Sequence, residues 1–118
     1  MSQQIGFAAE EEAKQYLLSQ GLKLIDQNYR SKLGEIDLIM QDNAYLVFIE
    51  VRARASNAFG GALASVNYQK QQKLIKTALF YLMQKKLNNK YPVRFDVISL
   101  EGKPYQINWI KDAFRADY

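Results

Sequence analysis

The chain contains no cysteine and no histidine. Those two absences exclude disulfides, thiolate zinc sites, cysteine nucleophiles and Ser-His-Asp triads together. Any resident metal must be held by oxygen, which favours Mg²⁺ or Mn²⁺ over Zn²⁺. No apolar run approaches the roughly 20 residues of a transmembrane helix. The first residues lack a basic region followed by an apolar one, so no secretory signal is read and a cytoplasmic protein is expected, with no membrane partner. Glycines number six and prolines two in 118 residues. No linker, internal repeat or low-complexity tract interrupts them, so residues 1–118 read as a single domain.

What is present suits a folded core: 48% of residues are hydrophobic and 13% aromatic, and a chain of this size buries roughly two-thirds of its unfolded surface. Sixteen basic residues against twelve acidic ones leave a net charge of +4. That balance fits a polyanionic partner, though many basic proteins bind no nucleic acid.

Hydrophobic periodicity predicts a helix over 7–19, with Ala9, Ala13, Tyr16 and Leu17 on one face and Gly21 ending it. Glu10, Glu11 and Glu12 fall where acids suit a helix N-terminus. Strands are expected over 22–30, 35–41 and 44–54, the last apolar on both faces and therefore central. Ser56 to Ala64, with Phe59-Gly60-Gly61, reads as a loop. A long helix follows over 67–87, its apolar stripe formed by Leu74, Ala78, Leu79 and Leu82 and its remainder rich in lysine. Strands over 93–100 and 105–110, joined by a turn at 101–104, complete the order α-β-β-β-α-β-β, an α/β domain with a central mixed sheet flanked by helices.

The most informative segments are GEIDLI (Gly34 to Ile39) and FIEVRAR (Phe48 to Arg54). Each puts a carboxylate, Asp37 or Glu50, inside an apolar strand. A charge there is costly unless compensated, and a hard divalent cation with oxygen ligands is one compensator. A two-residue turn at Asp42-Asn43 would set Asp37 opposite Phe48 and Glu35 opposite Glu50. Glu35, Asp37, Glu50 and Arg52 would then share a face, with Asp37 and Glu50 diagonal neighbours about 7–8 Å apart. Three acids on one face repel, and at least one should hold its proton until a metal arrives. The same acids can equally form plain salt bridges with Arg52, Arg54 or Lys70. Asp96, in another apolar strand, reads as the structural partner of Arg94. Trp109 and Tyr105 read as core or subunit interface. Lys70, Lys73 and Arg54 are candidates for phosphate contact, against the alternative of a solvated basic surface.

GEIDLI, FIEVRAR, FGG, a helix opening with VNYQKQQKL, and RFDVI together resemble the YraN-like family (UPF0102) from Gly6 to about Phe114. That family is similar to Holliday-junction resolvases of the PD-(D/E)xK superfamily. The resemblance implies a restriction-endonuclease-like fold and a nuclease-like protein that uses Mg²⁺ or Mn²⁺ to cleave nucleic acid, branched DNA included. It places metal ligands on Asp37 and Glu50, supported by the first-helix acid Glu10. Glu50, Val51 and Arg52 match the family's E-V-K, with arginine where the superfamily has lysine, and Lys70 matches the helix lysine. Arginine stays protonated and cannot serve as a base. Arg52 is therefore expected to contact phosphate or position water, with Lys70 assisting. The alternatives are a nucleic-acid-binding module that has lost its chemistry and an interaction domain that meets no nucleic acid. A symmetric homodimer would suit an enzyme acting on two strands.

Overall fold

Leu46 to Val51 alternate between two hydrophobic cores, and that strand forms the middle of a five-stranded sheet. The computed structural model describes residues 3–54, 66–102 and 104–116, with side chains described from Ala8 onward and that of Arg54 outside the description. In chain order the elements are α1 (Gln3–Ser19), β1 (Lys23–Ser31), β2 (Gly34–Asp42), β3 (Tyr45–Arg54), α2 (Tyr68–Gln84), β4 (Val93–Glu101) and β5 (Gln106–Phe114). The strands lie in sequence order across the sheet. Only β3 and β4 are parallel, and the connection between them contains α2; the other neighbours are antiparallel. This is the mixed α/β sheet that the order of elements implied.

Each face has its own core. Ala9, Ala13 and Leu17 of α1 pack on Leu38, Val47, Ile49 and Ile98. On the other face Leu74, Ala78 and Tyr81 of α2 meet Ile39, Phe48 and Phe95. Phe95 stacks between Phe48 and Phe114, with ring centroids 5.7 and 5.2 Å away. Burying such side chains stabilises the fold by about 1.5–3 kcal/mol each.

The bounds differ from expectation in instructive ways. α1 begins at Gln3, so Glu10 lies about two turns inside it and the acidic trio is not a helix-dipole feature. α2 ends at Gln84, where the Lys85 N–H bonds back to the Tyr81 carbonyl and Lys86 takes a positive φ. Leu79, expected in its apolar stripe, is exposed. β5 runs four residues further than expected, to Phe114.

That extension depends on Asp96. Its carboxylate is wholly buried and accepts hydrogen bonds from Arg94 Nε and Nη2 (both 2.9 Å), Trp109 Nε1 (2.8 Å) and the Asp112 N–H (2.9 Å). Arg94 also reaches Asp42 at 2.9 Å. The β4–β5 register shifts between Phe95 and Val97. The Asp96 carboxylate thus supplies an acceptor to the irregular stretch of β5 at Asp112. The pairing of Asp96 with Arg94 read from sequence is present, and Trp109 and Tyr105 pack against the α1-side core.

Candidate functional site

The β2–β3 hairpin turns at Asn43-Ala44, one residue later than the sequence suggested, with Asn43 at φ +54°. Every opposed pair moves by two residues, so face parity survives. Leu38 faces Ile49, and continuing that register would set Asp37 directly opposite Glu50 rather than diagonal to it. The ladder stops at Leu38, however, and the two strands part. In the fork the Val51 N–H donates to Asp37 Oδ2 at 2.8 Å, a side chain taking the place of a backbone acceptor.

The other edge of β2 is irregular at the same residue. Gln27 faces Leu38 and Tyr29 faces Ile36, but Asn28, at φ +53°, and Asp37 drop out of the ladder between them. Ile36 and Ile39 both pack toward α2 while Leu38 packs toward α1, so the alternation of faces breaks at Asp37. A strict pleat would put residues 36 and 38 on one face.

Into this fork come Glu10 from α1, Glu50 and Arg52 from β3, and Lys70 from the first turn of α2. The Asp37 carboxyl is within hydrogen-bonding reach of both Glu50 and Glu10. Glu50 is 8% exposed. Its Oε2 lies 2.9 Å from Arg52 Nη2 and 3.3 Å from Lys70 Nζ. The Arg52 contact is ionic rather than an aligned hydrogen bond. Its Nε and Nη2 are buried without a hydrogen-bond partner among the described residues. Lys70 is positioned from the backbone up: Asn67 caps α2 by accepting from the Lys70 N–H at 2.9 Å.

Burial pushes the Asp37 carboxyl up to about 9, and the neighbouring Glu50 charge adds to the effect. Its bond from Val51 opposes the rise without cancelling it. Glu10 is also raised, first by burial, with Glu35 and Glu50 contributing against the bond to Asp37. At neutral pH Asp37 therefore carries a proton beside Glu10 and Glu50. Among the described residues no three carboxylates close into a ready-made cation cage; Asp37 links Glu10 and Glu50 in a chain.

Glu35, expected on the shared face, is near enough to help raise the Glu10 carboxyl, but it is exposed and pairs with Arg30 at 3.4 Å near the β1–β2 tip. Lys73 is exposed one turn along α2 from Lys70. The Gly60-Gly61 loop and the Arg54 side chain lie outside the described residues. The parting of β2 and β3 at Asp37 has no sequence signature. Glu10 did have one: it precedes Ala13 by three residues and Leu17 by seven, on the flank of the buried stripe.

The model of the uncharacterised protein family UPF0102 matches residues 9–100. A UPF0102 protein of Legionella pneumophila (strain Corby) is 52% identical over 116 residues, covering 98% of each chain. One of Coxiella burnetii (strain RSA 331) is 48% identical over 118 residues, covering 100% of this chain and 98% of the relative. Another, of Pseudomonas syringae pv. syringae, is 47% identical over 115 residues, covering 95% and 94%.

Proposed function

We propose that this chain, which belongs to the uncharacterised protein family UPF0102, is a metal-dependent phosphodiesterase of restriction-endonuclease-like fold acting on nucleic acid, with branched DNA as its substrate class. The observation that carries the reading is the carboxyl pair Asp37–Glu50 in the fork of β2 and β3, flanked by Arg52 and Lys70.

The donor set fits a hard cation. Mg²⁺ keeps several waters and is commonly held by one or two protein carboxylates plus substrate phosphate, so a pair of buried carboxyls is sufficient. Asp37 and Glu50 would hold the ion, with Glu10 orienting Asp37. A cation bound there would polarise a phosphoryl oxygen and acidify water for attack. The protein's own residues supply the rest. Asp37 gives up its proton when the site fills. Arg52 offers donors that have no hydrogen-bond partner among the described residues, suited to charge developing on the scissile phosphate. Lys70 reaches the site from a half-exposed position where it can also meet phosphate. Lys73, further out, suits a neighbouring phosphate. Cutting both strands of a branch calls for two such sites, which a homodimer would supply.

One observation favours a second reading. Arginine at residue 52 removes the titratable amine of the superfamily motif, which suits a module that binds nucleic acid without cutting it. Labelled four-way, flapped and linear DNA, incubated with Mg²⁺ or Mn²⁺, separates the readings. Cleavage that vanishes in Asp37→Asn and Glu50→Gln supports the enzyme. Binding with a negative salt slope but no cleavage supports the binding module, and Lys70→Ala with Lys73→Ala should then flatten that slope by about one per lost contact. Neither binding nor cleavage would leave an interaction domain.

A further inference from the structure

From Val51 to Phe95 the chain carries basic side chains and not one acidic residue. The near end of that stretch belongs to the site above; the far end does not. Met83 lies about 20 Å along α2 from Lys70, at 1.5 Å per residue. There the outward side of α2 is apolar: Leu79 is 44% and Met83 58% exposed, and Leu33 at the β1–β2 tip, 44% exposed, faces the same depression. With Phe80 and Lys76 they line a cavity of about 510 Å³. A second cavity, of about 590 Å³, adjoins it at Leu79, Leu82 and Asn89 but lies toward β4 and β5, where Arg94, Asp112 and Phe114 line it.

Lys76 is the charged residue of the first cavity's lining. Lys85, Lys86 and Lys90 are exposed at the end of the same helix and on the segment after it, and none of these four lysines makes an ion pair among the described residues. No carboxylate lines the 510 Å³ cavity. An apolar floor beside Lys76, in a stretch of chain with lysines and no acid, is complementary to a segment that carries large apolar side chains flanked by acids. A second copy of this chain fits worse, because an isologous contact would set one lysine-bearing, acid-free surface against another. A lipid surface also fits worse, because it takes apolar groups that project, whereas these line a depression.

We infer that the outer groove of α2, between Leu33, Leu79 and Met83, is a docking site for an acidic amphipathic segment of a partner protein. It lies far enough from Glu50 for a docked segment to leave the carboxylate site open to substrate, and it does not depend on that site's chemistry.

The test uses the full chain and a fluorescein-labelled peptide of roughly ten residues, about three helical turns. Asp and Glu flank Phe, Leu and Ile at helical spacing, and a control peptide carries Asn and Gln in their place. Anisotropy should show saturable binding of the acidic peptide that weakens with salt. The amide peptide, and the Met83→Glu and Lys76→Glu proteins, should each bind about tenfold more weakly or worse. Circular dichroism melts of both variants should match wild type, since both side chains are exposed. No saturable binding, equal binding of the amide peptide, or full affinity in Met83→Glu overturns the inference. So does a wild-type dimer that Met83→Glu turns into a monomer, or capture by phosphatidylserine vesicles that Met83→Glu abolishes; either would give the groove a different occupant.

Discussion

Asp37 is held by backbone on one side and faces carboxyls on the other. Val51 donates to its Oδ2 at 2.8 Å, while Glu50 and Glu10 crowd the rest of the carboxyl. The result is a proton retained to about 9, against 3.8 for an unperturbed aspartate. Between those values the native state binds the extra proton. The associated stability is complete below about pH 4 and is lost as pH rises through about 9. In chelator, the melting temperature should fall between about pH 6 and pH 9, and Asp37→Asn should flatten the decline; an unchanged slope would mean that Asp37 is not the group responsible. Arg52 makes a different prediction. If it clamps phosphate, Arg52→Lys keeps the charge but loses the fork, and Arg52→Ala loses both. Cleavage should fall in that order, by about 10- to 100-fold for the alanine variant, the worth of a charge-assisted hydrogen bond. A rate increase in Arg52→Lys would show instead that the site wants a titratable amine.

At the scale of elements, the irregularities on either side of the central β3–β4 pair serve different ends. The β2–β3 fork frees Asp37 and Glu50 from pairing with each other's strand, while Glu50 still pairs with Val97 of β4. The β4–β5 irregularity is closed by Asp96, whose four hydrogen bonds leave no acceptor capacity idle. Burial alone would lower the pKa of Arg94, but its bonds to Asp96 and Asp42 more than reverse that. Asp96→Ala would strand Arg94 with Asp42 alone and should cost about 3–5 kcal/mol in urea unfolding, the usual penalty for breaking a buried pair. A loss under 1 kcal/mol would mean that the network relaxes around the gap. Strand identity was legible because short apolar runs rich in β-branched and aromatic residues, continuous in β3, identify β2, β3 and β4. Register was not, because Asp42-Asn43 and Asn43-Ala44 are both plausible turns, and only packing against α1 and α2 selects between them. The start of α1 was missed because Gly6, a poor helix former, stands before Phe7 and masks the continuation of the apolar spacing to Ile5.

Across the whole molecule, α2 connects two surfaces. Its first turn gives Lys70 to the carboxyl cluster, and its later turns line the apolar groove beside Lys76. Much of the cluster was legible from sequence, since charges inside apolar strands stand out and a shift of two residues leaves parity intact. What sequence could not convey is that Asp37 occupies a break in the pleat, where it meets an acid from α1 as well as one from β3. The central claim is that this break is a site for a hard cation. Titrating Mn²⁺ into the chelated protein by calorimetry, in two buffers of different ionisation heat, tests it most directly. The account predicts saturable binding that releases protons near neutral pH, because Asp37 must ionise to serve as a ligand, with binding greatly weakened in Asp37→Asn. Mn²⁺ binding that releases no protons and is equally tight in Asp37→Asn, or no binding at all, would contradict it.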